Sequence, residues 1–486
     1  MKKNILTRRD FLKVAGVTSA SLALSACGVK ATNLPTSFAT STISVPTQTA
    51  VPSITPSPTS DVQKIFNDLL QESISRYAKP FGLNATDVFN RVKNSPENQK
   101  TLKDINGASF YVIADSDIPL LCAETSNNGD LVWQDITLRY LGDKAGLTIG
   151  TSVDNTDSQY KTEKYRQTGA KEFSAIVPMN AFNSDRISKE AQTWIDYAAE
   201  NKQAIRIQAF WSQDFVGKHI EKEYFSSRLQ EIMPYIINAR EQGVNVQITL
   251  ANEPFQYWKG QAVWAGEWDN KNGFYDLYKR EWISEAYITL YDISTQFGLR
   301  LGKDFTVIGV AERGIDAQGY ESTFAVLEIK RIKQNIIQRL TDKGESYSLQ
   351  SLPFDIGIMF HIGKAEKDRD IVVPFEILRN ENKGTLTKQF VWINEQTGSN
   401  IHLAEISDLL DTKDTLDDVR IAYETIFSAA LDSKVVQDAF FWSTMTFYTE
   451  NGWVWRNDLL DKNYQPLAPY YGVMQALLKY LVNPSA

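Results

Sequence analysis

The sequence predicts an α/β fold, a (β/α)8 TIM barrel with an N-terminal extension, on three observations. Eight strand-like runs alternate with helical patterns from Leu147 onward, and such alternation builds a parallel sheet. The runs occupy about 335 residues, room for one barrel with loop insertions. No glycine-rich phosphate loop follows the first run, so the alternative, a doubly wound open sheet, is less favoured.

Taken in order, residues 1–27 read as an address rather than fold material. Thr7-Arg8-Arg9-Asp10-Phe11-Leu12-Lys13 resembles a twin-arginine translocation signal. The apolar run 14–26 is shorter than the roughly 20 residues of a membrane span. It ends in Leu24-Ser25-Ala26-Cys27, which resembles a bacterial lipobox. These resemblances imply export of the folded chain by the twin-arginine route and a lipid on Cys27. The lipid would hold the body on the outer face of the cell membrane or in the cell envelope. An uncleaved apolar helix is the alternative. Residues 28–60 are rich in Ser, Thr and Pro and read as an extended linker. Residues 61–143 read as the extension, with helical periodicity over 61–77 and 84–92 and short strands at 108–114 and 118–121. Residues 144–486 form the barrel.

The barrel strands are expected at 147–151, 173–177, 205–210, 244–251, 306–310, 356–361, 401–406 and 439–443. Helices are expected at 158–168, 189–201, 226–242, 274–297, 323–340, 415–433 and 468–481. The segment between the sixth and seventh strands has no clear pattern.

Composition narrows the function. The formal net charge is −8. Six basic residues and one acid lie in the first thirty, so the remainder carries −13 (−8 less six plus one). That argues against a nucleic-acid partner, which calls for a basic face, and is compatible with a neutral polymer. Aromatic residues are plentiful, with 11 Trp and 21 Tyr, while His219, His361 and His402 and two cysteines are spaced too widely for a zinc site. No metal or cofactor is expected, and the chain is expected to be a monomer. With lipid on Cys27 only Cys122 remains, so no internal disulfide forms.

Val246-Gln247-Ile248-Thr249-Leu250 has strand composition and runs into Asn252-Glu253-Pro254, where the proline stops ladder pairing. An acid thus stands where the fourth strand ends. Ile401 to Asp408 does the same with Glu405 on the seventh. Strand ends of a barrel share one mouth, and two carboxylates there are what glycosidic cleavage needs: one protonates the leaving oxygen, the other attacks the anomeric carbon. Alone, Asn-Glu-Pro also suits a helix start, with Asn as cap and Pro in the first turn.

Several blocks then align in order with a known family. Ile149-Gly150-Thr151-Ser152, the stretch Phe173 to Phe182, Ile205 to Gln213 and Asn252-Glu253 come first. Phe354 to His361, His402-Leu403-Ala404-Glu405-Ile406, and Phe441-Trp442-Ser443 with Trp453 and Tyr464-Gln465-Pro466 follow. In these the chain resembles glycoside hydrolase family 10, the (β/α)8 endo-1,4-β-xylanases. The resemblance implies a retaining hydrolase of β-linked polysaccharide, xylan above all. It makes Glu253 the general acid/base and Glu405 the nucleophile. Asn252 would bond the 2-hydroxyl of the attacked sugar, Asn180 a further hydroxyl, and His361 would help hold Glu405. Gln208 and Trp211 join the substrate-binding set, and Trp442 and Trp453 would wall the sugars.

The chain departs from the family pattern at Met179, Asn183, Gln208, Ser212, Met359 or Phe360, and Ser407, positions that grip sugar or tune the nucleophile. A carbohydrate-binding lipoprotein without catalysis and a glycosidase of a neighbouring family therefore stand as alternatives. Trp258, Trp264 and Trp268 after Glu253 read equally as a sugar platform or as loop packing. Lys330-Arg331-Ile332-Lys333 reads as a solvated helix face, and His219 and His402 as structural histidines.

Overall fold

In the computed structural model the described residues are 64, 67–68, 70–72, 74–75, 84–94, 101–105, 108–115, 118–125, 131–132, 136–153, 162–179, 181–183, 186–211, 219–258, 261–265, 273–313, 324–363, 383–409, 415–442, 447–450, 453–456, 459–461 and 463–482. Eight parallel strands close a barrel: β1 (Thr148–Val153), β2 (Ala175–Pro178), β3 (Ala204–Trp211), β4 (Val246–Asn252), β5 (Thr306–Arg313), β6 (Asp355–Gly363), β7 (Ile401–Leu409) and β8 (Val436–Phe441). Each pairs with its sequence neighbour, and β8 returns to β1 through Asp438↔Thr148 and Phe441↔Thr151. A helix follows every strand: α1 (Glu163–Glu172), α2 (Ala191–Glu200), α3 (Tyr224–Glu241), α4 (Trp282–Gln296), α5 (Phe324–Thr341), α6 (Lys383–Thr397), α7 (Leu416–Ser433) and α8 (Ala468–Val482). The fold is the (β/α)8 TIM barrel.

One large core fills the layer between strands and helices, including Ile205, Ile207, Ile248, Leu250, Ile401 and Leu403 from the strands and Ile232, Ile236, Ile329 and Phe427 from the helices. Inside the barrel Phe440 packs on Ala175 and Val177. Gly150 makes room for it: a Cβ there would stand 2.4 Å from the Phe440 ring.

Ahead of the barrel, Asn84 caps a helix at Ala85–Asn94 by accepting from the Thr86 and Asp87 amides. A four-stranded antiparallel sheet then joins Thr101–Ile105, Ala108–Asp115, Ile118–Thr125 and Leu131–Val132 in order, with its third strand against α8. The first and last of these strands were not expected. Nor was a helix at Leu138–Ala145, which is capped by Thr137, closed by Gly146 at φ 74°, and buries Leu138 and Leu141 in the barrel core.

Two expected helices shift. The one at 158–168 runs instead as α1, because the Thr162 hydroxyl accepts from the Tyr165 amide and fixes the start. The one at 274–297 is broken into Gly273–Tyr278, a 3-10 turn Lys279–Glu281 and α4, with Lys279 at φ 54°. The break lets Phe274 stack on Trp282, with centroids 5.0 Å apart. The tetrad on α5 is not a solvated face: Lys333 is wholly buried, and Arg331 is tied to Glu328 and Glu281. No described helix is long and apolar enough to cross a membrane.

Candidate active site

At the end of β4, the Glu253 amide donates to the Ala311 carbonyl of β5 at 2.8 Å. Pro254 has no amide hydrogen to continue the ladder. Glu253 sits at φ 50°, in the left-handed region that side chains other than Asn and Asp rarely occupy. Such strain persists where surrounding structure holds it, and it gathers at functional sites. No helix starts here. The chain instead turns into a hairpin of Phe255–Trp258 and Gln261–Trp264. The Glu253 side chain is only 6% exposed, and the Trp211 indole N–H at the end of β3 donates to its Oε2 at 3.2 Å.

Glu405 reaches the same mouth by a different device. Along β7, His402 takes part in a buried polar network inside the barrel while Ile401 and Leu403 join the outer core. Strict alternation would turn Ala404 in and Glu405 out. However, β6 and β7 pair Ile358↔Leu403 and then Met359↔Glu405, which leaves Ala404 as an extra residue. The β8 side skips likewise, between Leu403↔Ala439 and Ile406↔Phe441. Ala404 packs inside with Ala311 and Met359, and Ile406 joins the outer core. This bulge turns Glu405, 5% exposed, to the inside; bulges beside active sites commonly re-aim a side chain in this way.

Trp442 follows β8, the strand next to β7. Its ring meets Trp211 edge to face, with centroids 6.4 Å apart and planes at 78°. Its amide donates to the Ile406 carbonyl at 3.1 Å, and its carbonyl accepts from the Ser152 hydroxyl at the end of β1. A chain of contacts thus runs from Glu253 through Trp211 and Trp442 to Ile406, the residue after Glu405. Strand Trp453–Arg456 runs beside β7 and pairs with Phe447–Glu450; the Trp453 side chain lies outside the described residues. Asn252, 1% exposed, pairs in register with Ala311 and Trp211. Neither its Nδ2 nor its Oδ1 has a hydrogen-bond partner among the described residues. A buried amide with both ends open is rare in a native fold and calls for an explanation. Gln208, half-buried, lies lower on β3 opposite Thr249.

Not every expected position joins this group. Asn180 and Cys27 lie outside the described residues, as does the side chain of His361, whose backbone is in β6. Of the three tryptophans after Glu253, Trp264 is wholly buried and donates to Glu328 at 3.0 Å, so it is packing rather than platform. The Trp258 side chain and Trp268 lie outside the described residues. Ser152 stands in the first aligned block without a role of its own there, since its hydroxyl serves a backbone carbonyl.

Beneath the mouth the barrel holds charge. Arg206 of β3 is buried, with Nη2 2.7 Å from Asp438 Oδ1 and Nε 2.8 Å from Gln247 Oε1. Its guanidinium lies 3.8 Å from the centre of the Phe440 ring. His402 bridges Asp438 at 2.7 Å and Asp355 at 3.3 Å. Burial would depress the His402 imidazole, but Asp438 and Asp355 outweigh it and hold it above its ordinary value. Burial would raise Asp438, yet Arg206 and His402 keep it well below the carboxylate range. Burial pulls Arg206 below the ordinary guanidinium value against Asp438, and the Glu405 carboxylate also acts on it. A cavity of about 870 Å³ opens to His402 and Asp438 from the opposite, N-terminal end of the barrel. Catalytic residues of such barrels stand at the C-terminal end, the end opposite this cavity, which makes the two glutamates the candidates. Among the described residues no group of three or more His, Cys, Asp or Glu could hold a metal ion.

The fold has close counterparts. Xylanase 10B from Thermotoga maritima superposes with a TM-score of 0.54 at 19% identity, covering 72% of this chain and 100% of that one. Xylanase 10B from Thermotoga petrophila RKU-1, solved with xylobiose, gives 0.53 at 19% identity over 72% and 99%. The endo-1,4-β-xylanase XylE from Penicillium canescens gives 0.51 at 15% identity over 71% and 98%. No family sequence model matches the chain, and no curated protein matches it by sequence.

Proposed function

We propose that the chain is a retaining glycoside hydrolase acting on a β-1,4-linked polysaccharide, with xylan as the substrate. The observation that carries this reading is the pair of nearly buried glutamates, Glu253 just past the end of β4 and Glu405 turned inward by the bulge in β7, with Trp211 on Glu253 and in edge contact with Trp442. The likeness to xylanase folds supports it, as does the xylobiose held by one of those enzymes.

In this reading a Glu405 oxygen attacks the anomeric carbon while Glu253 gives its proton to the departing glycosidic oxygen. The C–O bond breaks, and a glycosyl ester forms on Glu405. Glu253, now a carboxylate, takes a proton from water. The water oxygen then displaces Glu405 and returns the site to its starting state. Asn252 offers its open amide to the 2-hydroxyl, a bond that strengthens as charge develops on the ring. Trp211, Trp442 and Trp453 present flat faces to the sugar C–H surfaces, and Gln208, Asn180 and His361 complete the polar lining. The test is reducing-sugar release from a panel of β-glycans. Wild type should exceed a Glu405→Gln variant by at least about 10²-fold on xylan. Equal release on every glycan would sink the reading.

One observation favours a second reading. Met359, 1% exposed, pairs in register with Glu405, so an apolar side chain stands beside the candidate nucleophile. A binding lipoprotein on this scaffold would hold xylo-oligosaccharides tightly, by calorimetry, with no turnover. The address reading is likewise a proposal: twin-arginine export, and anchoring of a monomer by lipid on Cys27. Cys27→Ser should move the protein from the detergent to the aqueous phase on partition.

A further inference from the structure

Arg206 has no part in the proposed chemistry, yet it is among the most completely buried charges in the protein. An isolated buried charge is costly, so such a group needs full compensation. Arg206 has less than that. Asp438 and Gln247 take Nη2 and Nε, and Phe440 covers one face. Nη1 is buried with no hydrogen-bond partner among the described residues. Asp438 is itself shared with His402, so Arg206 does not have that carboxylate to itself. Its clamp also fixes its height. Asp438 pairs in register with His402 on β7, and Glu405 follows His402 by three residues, with the Ala404 bulge turning it to the same interior. Arg206 Nη2 lies 3.5 Å from His402 Nδ1 at the foot of β7, and the inward residues that follow on β7 are Ala404 and then Glu405.

We propose that Arg206 is a positioning residue for Glu405: clamped by Asp438, Gln247 and Phe440 below the mouth, it supplies a fixed positive charge that keeps the Glu405 carboxyl ionised for attack. A cation acting through a low-dielectric interior favours the charged form of a nearby acid, and because the clamp holds it before substrate arrives, no reorganisation is needed at the moment of reaction. The idea rests on the hydrolase reading only for its consequence in activity; the electrostatic claim stands apart.

The experiment therefore reads both. In the full chain labelled with ¹³C at glutamate side chains, the Glu405 carboxyl resonance is assigned by its loss in Glu405→Gln and titrated from pH 3 to 8. The pH profile of kcat/KM on soluble xylan is measured in parallel. Arg206→Met should move the Glu405 titration, and the acidic limb of the profile, upward by about half to one pH unit. Arg206→Lys, which keeps the charge, should restore most of that shift. If Arg206→Met fails to fold, Arg206→Gln, which drops the charge and keeps a polar group for Asp438 and Gln247, takes its place, and the same upward shift is expected. A folded variant lacking the charge whose Glu405 titrates as in wild type overturns the proposal. So does an equal shift in Arg206→Lys. An inert protein in which the titration still moves would reject the hydrolase and keep the Arg206 assignment. An active one in which it does not move would do the reverse.

Discussion

Glu253 shows how a single residue can be both strained and fixed. Its left-handed backbone is held by the bond to the Ala311 carbonyl on one side and by Pro254 on the other, and its carboxyl is aimed by Trp211. If Glu253 is the proton donor, its removal matters only where the leaving group needs a proton. Glu253→Gln should lower kcat on xylan by about 10²- to 10⁴-fold, and far less on an aryl glycoside whose phenol leaves readily unaided. Equal losses on both substrates would assign Glu253 another role. The position of this residue was legible because Pro254 marks a strand end in any context. The conformation was not, since φ > 0 at a glutamate follows from the packing of β3 and β5 around it. Asn252 was legible as a neighbour, but its open amide appears only once the strands are paired.

The elements divide in the same way. All eight barrel strands were readable because each is a compact apolar run, and a strand covered on both faces needs no finer pattern. The bulge in β7 was not readable. Ala404 is small enough for either face, so Ile401 to Ser407 fits simple alternation just as well, and that alternation would point Glu405 at the helices. Two helices moved because a threonine cap in one case and a stacked aromatic pair in the other overrode periodicity. The helix α6 showed little pattern, because Lys383–Thr397 mixes polar residues among Phe390, Trp392 and Ile393. By contrast α7 announced itself. Thr415 accepts from the Asp418 amide while the Asp418 carboxylate accepts from the Thr415 amide. Thr415→Ala should destabilise the fold by about 1 kcal/mol, read from denaturant unfolding.

At the scale of the whole molecule, buried charge sets the response to pH. Burial pulls Lys333 down to about 8, partly offset by Asp355, while its amine bonds Ser399 at 2.8 Å. The folded value lies below the ordinary lysine value, so between pH 8 and 10.5 the unfolded chain binds more protons and stability rises with pH. Wild type should therefore gain on the order of 2 kcal/mol relative to Lys333→Met between pH 7 and 9.5, read from denaturant midpoints. A constant difference would mean that Lys333 stays ionised throughout. His402 works in the opposite sense. Its raised value adds stability that is complete below about pH 6 and is lost as pH rises through the folded-state value.

The pairing of β8 with β1 has a consequence in time. Asp438 and Thr148 are 290 residues apart (438 − 148), and at about 5–20 residues per second of synthesis the first strand waits roughly 15 to 60 s for its partner. During that interval β1 has one bare edge, the kind of edge along which chains pair with strangers. The ring can therefore close only once β8 has been made, with α8 still to come. Whatever covers that edge during synthesis guards the chain against mispairing until the ring closes.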